Sequence, residues 1–372
     1  MPEFGHDTLK RLASQTGYPR VTIHVPMVRA GAEVRKNRIE LSNAANEAVK
    51  KLTDSGMKKN DAATFVQPVF DMAADDNRME HQKDGLALFI DGSSYEEIQM
   101  PTTVDARVEV GSRYSLAPIM EPALENAEYA LLALSLGGVG LYRASRFAAE
   151  YVELDGLPED LCYVLRFDDF EKSAGHHHTT SARGDSVQHG HGMGKDEHDA
   201  FVKRFVEATE PLVTDWARKR AIPLVVIGSE DVVGHYLKDQ HYDRVVDEHR
   251  FVDPHSLSID DIIRIGIECM EPEFRARRDE AIGRFKAADH TAVDIYSVLP
   301  ALVEGRVHTL FLDPAQEIRG AFEADTESVH VDPAPEHVTE NLIDVALARA
   351  LELGAEIVPV HGEIRTPAAI LY

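Results

Sequence analysis

The chain has 372 residues, 44% of them hydrophobic, and a net charge of −25. This length calls for roughly two or three cores, the charge opposes non-specific attraction to nucleic acid, and no run of about 18 apolar residues offers a membrane span. The acids are spread along the chain, as in a salt-adapted surface or an ordinary acidic bacterial protein.

Two cysteines, Cys162 and Cys269, sit far apart in apolar segments. That argues against a disulfide framework or a Cys-based zinc site and fits a reducing cytoplasm. The opening MPEFGHDTLKRLASQ lacks the apolar stretch of a signal peptide.

Residues 1–115 read as an α/β unit. Arg20 to Met27 alternate like a strand, and Leu41, Ala45, Val49 and Leu52 recur at helical spacing before a stop at Gly56. Gly85 to Pro101 read as two strands around a Gly-Ser turn. A second unit, 116–258, opens with Tyr129 to Leu136 as a buried strand and continues as a three-strand meander. A helix from about Asp196 carries Phe201, Phe205, Leu212, Val213 and Trp216 on one face, with Pro211 expected to kink or split it. Pro223 to Asp231 read as a parallel-type strand. The third unit, 259–372, begins with a helical stretch to Lys286. It then alternates helix and strand, with Gly305 and Gly354 closing helices, which predicts an α-β-α layering.

The segment GHHHTTSARGDSVQHGHGMGKDEHD, Gly175 to Asp199, departs from this pattern. His176, His177, His178, His189, His191 and His198 are candidate imidazole ligands; no metal is expected, and His176, His178, His189 and His191 form the alternative, metal-binding reading. There is no HExxH and no Cys partner, so a solvated polar loop is the plainer reading. GHGMGK, Gly190 to Lys195, opens a helix, where free N–H groups favour anions. It is not a Walker A loop, because Asp196 stands where Ser or Thr is required. Ser173, Ser181 and Ser186 have histidines nearby but no GxSxG context. The densest basic stretch is FRARRDEAIGRFK, Phe274 to Lys286. Its arginines read either as a salt-bridged helix face or as an RNA-facing patch.

The order of these parts resembles that of archaeal and eukaryotic class-1 peptide-chain release factors and their relative Pelota. It is more similar still to the bacterial archaeo-eukaryotic release factors. The stretches that carry the resemblance are Leu9 to Met27, Gly85 to Gly92, Tyr129 to Arg146, Asp196 to Val213, Leu224 to Val232 and Ala281 to Asp313. The resemblance implies an N-terminal α/β domain and an RNase H-like middle domain whose long loop spans 171–198. It also implies a C-terminal domain of the type shared with kink-turn-binding ribosomal proteins.

In release factors the middle-domain loop ends in a Gly-Gly-Gln tip that promotes hydrolysis of the peptidyl-tRNA ester. Here the corresponding SVQHGHGMGKDEHD has no Gly-Gly-Gln, and Gln188 precedes the glycines. The stop-codon-reading Asn-Ile-Lys-Ser motif is also absent. The resemblance therefore implies a ribosome- or tRNA-associated rescue factor without stop-codon decoding. Gln188, His189 and His191 would be the catalytic candidates, and Gly190, Gly192, Gly194, Lys195, Arg275, Arg277 and Arg278 the RNA contacts. No cofactor is expected. The alternatives are a hydrolase or metal-dependent enzyme built on the His-rich loop, and a stress-linked protein-interaction module.

Overall fold

The computed structural model describes residues 4–158, 195–331 and 340–372. The chain folds as two units of mixed α/β structure. One comprises Met1–Asn126 with Phe274–Tyr372, and the other Ala127–Glu273.

The N-terminal part of the first unit contains α1 (His6–Ser14), β1 (Thr16–Pro26), α2 (Arg35–Asp54), α3 (Lys59–Ala74), α4 (Asp76–Glu80), β2 (Gly85–Ile90), β3 (Tyr95–Met100), β4 (Arg107–Arg113) and α5 (Ala117–Leu124). The sheet runs β3-β2-β1-β4 and is antiparallel throughout. Alternation puts Val21, Ile23 and Val25 on one face, where they meet Leu41, Ala45, Ala48 and Leu52 of α2. Val49 sits at the edge of that core. Helix α3, which the sequence reading passed over, buries Ala62, Val66, Val69 and Ala73. The other face of β1 carries Thr22, whose hydroxyl accepts from the Ser115 amide, and a fully buried His24.

The second unit contains β5 (Tyr129–Ser135), β6 (Gly138–Ala144), β7 (Ala149–Tyr151), α6 (Lys195–Arg220), β8 (Leu224–Gly228), α7 (Glu230–Asp239), β9 (Arg250–Phe251) and the first part of α8 (Ile259–Ala287). Its sheet runs β7-β6-β5-β8-β9. The first three strands form the expected antiparallel meander; β8 is parallel to β5 and β9 to β8. Leu132, Leu134 and Val226 pack with Phe205, Val213 and Trp216 of α6 and with Val233 and Tyr236 of α7. Pro211 does not split α6, which runs as one helix. It faces solvent, where losing one backbone donor is tolerated. Glycine closes β8 because a Cβ on Gly228 would fall 2.8 Å from the Leu134 carbonyl carbon.

The chain then returns to the first unit with β10 (Thr291–Val293), α9 (Ile295–Val303), β11 (Val307–Leu312), β12 (Arg319–Glu323), β13 (Ser328–Val331), β14 (Glu340–Asn341), α10 (Leu342–Leu353), β15 (Glu356–Pro359) and β16 (Ala368–Leu371). The sheet β10-β16-β11-β15 is mixed, with β11 and β15 parallel. Ala281, Ile282 and Phe285 of α8 pack on Phe311 and Val358. Asn341 caps α10 by accepting from the Ile343 amide, and Gly354 ends it in the left-handed conformation.

Two polar features, one part-exposed and one buried, tie this first unit together. Arg107 and Arg319 each bind both Glu109 and Glu317, closing a four-membered ring of charges between β4 and the start of β12. Asp344 accepts from the amides of Leu116 and Ala117 at 2.7 and 2.8 Å, capping α5 from α10.

Candidate functional site

In the second unit the parallel strands β5, β8 and β9 end at one edge, at Ser135, Gly228 and Phe251. In open α/β sheets ligands bind outside this carboxyl edge. Three polar groups gather there. Ser135 Oγ lies 2.8 Å from His255 Nε2, and Asp253 Oδ1 accepts from the His255 amide at 3.1 Å. A side chain at Gly137 would run into the same imidazole. His198 Nε2 lies 3.0 Å from Asp231 Oδ2 and joins the first turn of α6 to the first turn of α7. Burial raises the Asp231 pKa, but hydrogen bonds from His198, the Val232 amide and Ser229 outweigh it and hold the carboxyl below its usual range.

A hydroxyl beside an imidazole is the first link of an activated nucleophile. Ser135, however, is only 7% exposed and its hydroxyl also faces the Gly138 carbonyl at 3.3 Å. The pair therefore pins the 254–256 turn to the β5–β6 turn. Among the described residues no group of three His, Cys, Asp or Glu side chains is placed to hold a metal ion.

The expected tip residues Gln188, His189, Gly190, His191, Gly192 and Gly194 lie outside the described residues, as do His176, His177, His178, Ser173, Ser181, Ser186 and Cys162. Lys195 opens α6. Cys269 is buried, and burial pushes its thiol up to about 11. Arg275 and Arg277 are exposed on α8. Arg278 is 7% exposed and donates to Glu121 at 3.0 Å and Glu125 at 2.9 Å, so its guanidinium is engaged within the first unit. The sequence reading did not anticipate Asp231 or His255. Both follow strand ends, and that position was the available signal.

Residues 129–272 match the model of bacterial archaeo-eukaryotic release factor family 7. The second unit is thus similar to that family over most of its length. The matched span and the second unit, Ala127–Glu273, nearly coincide. Solved structures similar to the whole chain include archaeal translation termination factor aRF1, at 15% identity over 99% of this chain and 98% of that one, with a TM-score of 0.22. Archaeoglobus fulgidus Pelota is 11% identical over 98% and 92%, with a TM-score of 0.34. An archaeal Pelota in a model of ribosome-bound Pelota and ABCE1 is 10% identical over 100% and 95%, also at 0.34. No curated protein matches the sequence. Among the described residues no helix is long and apolar enough to cross a membrane.

Proposed function

We propose that this chain is a release-factor-type protein that engages the ribosome or a tRNA-like RNA without decoding stop codons. The observation that carries the reading is the family 7 match over 129–272, a span that encloses the His/Gly-rich segment between β7 and α6. The strand order β7-β6-β5-β8-β9, with only β6 antiparallel to its two neighbours, supports reading this unit as RNase H-like. Residues 188–195 form the tip. Its glycines allow close backbone approach to RNA, and Gln188, His189 or His191 positions a water near the ester. Arg275 and Arg277 add supporting contacts, while Arg278 holds α8 in place. Three domains, 1–115, 116–258 and 259–372, divide this work, with the last of the kink-turn-binding type.

The test is co-sedimentation with purified ribosomes at two salt concentrations. The intact chain is compared with a variant in which 176–195 is replaced by a short Gly-Ser linker. Loop-dependent pelleting is the expected result, and peptidyl-tRNA hydrolysis is then assayed. An intact chain that stays in the supernatant at both salt concentrations overturns the reading.

A further inference from the structure

Helix α6 ends in Trp216-Ala217-Arg218-Lys219-Arg220, with the three basic residues exposed. Lys219 pairs with Asp215 at 2.7 Å. The two arginines do not pair with acids. Arg218 Nη2 donates to the His241 carbonyl at 3.2 Å. Arg220 Nη1 donates to the Trp216 carbonyl at 3.2 Å, and its guanidinium lies 4.1 Å from the Trp216 ring centre. The exposed Arg244 approaches the same turn from another segment and donates to the Ala221 carbonyl.

These three guanidinia are fixed by backbone carbonyls, and none meets a carboxylate among the described residues. Arg11, Arg38, Arg264, Arg284 and Arg349, by contrast, each carry an acidic partner. The segment bearing Arg244 is strapped down. The Tyr242 hydroxyl donates towards the carbonyls of Ala217 and Ile222 at 3.3 and 2.6 Å. Leu224 donates to the Arg244 carbonyl, and Val246 to the Leu224 carbonyl. Arg244, Asp243 and Arg218 all act electrostatically on Tyr242, so two of these cations and one acid lie near its hydroxyl. The helix dipole accounts for cations at the end of α6 but not for Arg244.

We propose that Arg218, Arg220 and Arg244 form a preorganised face for RNA backbone phosphates. A guanidinium tied down through one N–H keeps others for phosphate oxygens, and its ordering is complete before binding. In a chain of net charge −25 such contact must be local. The inference rests on the RNA-partner reading above and locates a second contact at the far end of the helix from the tip.

The test is fluorescence anisotropy of a labelled tRNA transcript with the full chain across a salt series. Arg218→Gln/Arg220→Gln/Arg244→Gln is expected to bind about tenfold more weakly near 0.1 M salt. The log–log salt slope should shrink by about 2, at roughly 0.7 per lost contact. Arg218→Gln/Arg244→Gln, which leaves the Trp216 stack intact, should lose about two thirds of that slope and covers the case in which the triple variant misfolds. Arg38→Gln/Arg264→Gln/Arg349→Gln makes the same charge change at paired positions and should bind like the parent. Parent-like binding by both the folded triple variant and the double variant overturns the proposal and leaves the RNA reading standing. So does an equal loss in the control, or polyglutamate competing as well as RNA. An intact chain silent toward tRNA and ribosomes alike overturns both.

Discussion

His198 Nε2 sits 3.0 Å from Asp231 Oδ2, so the turn where α6 emerges from the His/Gly-rich segment is tied to the helix that follows β8. The folded-state pKa of Asp231 is depressed. Its contribution is therefore present above the ordinary carboxylate pKa and is lost as pH falls through the depressed value. Asp231→Asn should flatten the acid side of the stability curve. Both partners are about a third or more exposed, so screening limits the loss at pH 7 to about 0.5–1 kcal/mol. Denaturant titrations between about pH 3 and 7 check this. An unchanged acid slope would remove the ion pair from the account.

Gly266 of α8 lies against Tyr129 of β5 within the second unit. A Cβ at 266 would come within 2.9 Å of the ring Cζ and 2.8 Å of Cε2, and closer still to the hydroxyl. Gly266→Ala should cost about 1–3 kcal/mol through overpacking. The buried Tyr129 hydroxyl has no hydrogen-bond partner among the described residues. Tyr129→Phe should therefore be neutral to within about 1 kcal/mol. It should rescue Gly266→Ala only in part, because the ring carbons remain. Urea midpoints of the two single variants and the double variant test this; full additivity would rule the contact out.

His24 and Asp344 pull the first unit in opposite directions as pH changes. Burial, helped by Arg107, lowers His24 from 6.5 to about 4, so the unfolded chain takes the proton first and stability falls from pH 6.5 to 4. Burial raises Asp344 from 3.8 to about 6 against the hydrogen bonds from Ala117 and Leu116, so stability rises as pH falls through the same window. The two nearly offset each other in the parent. Asp344→Asn keeps the amide acceptor and removes one side of the balance. It should become more acid-sensitive by about 3 kcal/mol between pH 6.5 and 4, at about 1.4 kcal/mol per pH unit. His24→Leu should show the opposite slope. Parallel stability–pH curves for the parent and both variants would refute the account.

The three arginines of the RARR stretch should separate in a stability screen. Arg278→Ala removes a nearly buried guanidinium that bridges Glu121 and Glu125 and leaves Glu121 with His361 at 3.1 Å, and should cost about 3 kcal/mol. Arg275→Ala and Arg277→Ala change exposed side chains and should stay within about 0.5 kcal/mol. RNA binding through α8 is therefore tested with the second pair.

Periodicity made much of the fold legible. β1, α2, β5 and β8 fall where alternating or helical patterns placed them, because each buries one face or both. Helix α3 was equally legible from Ala62, Val66, Val69 and Ala73 but was overlooked beside the stronger pattern of α2. The short strands β12, β13 and β16 carry too few residues for a pattern to rise above chance. The site was less legible because its pairs are long-range. Nothing near Arg278 announces that Glu121 and Glu125 will meet it, and nothing near His198 sets it apart from the other histidines until Asp231 arrives after β8. The tip itself lies outside the described residues.

Helix α6 has a consequence for the geometry of any RNA partner. At about 1.5 Å per residue its 26 residues span roughly 39 Å, with the His/Gly-rich segment preceding one end in the chain and the carbonyl-held arginines at the other. The two ends are thus locked in phase as well as in distance. Inserting one residue would lengthen the span by about 1.5 Å and also turn one end by about 100° about the axis relative to the other. The molecule is in this sense a keyed gauge, for which reach and rotation cannot be varied independently.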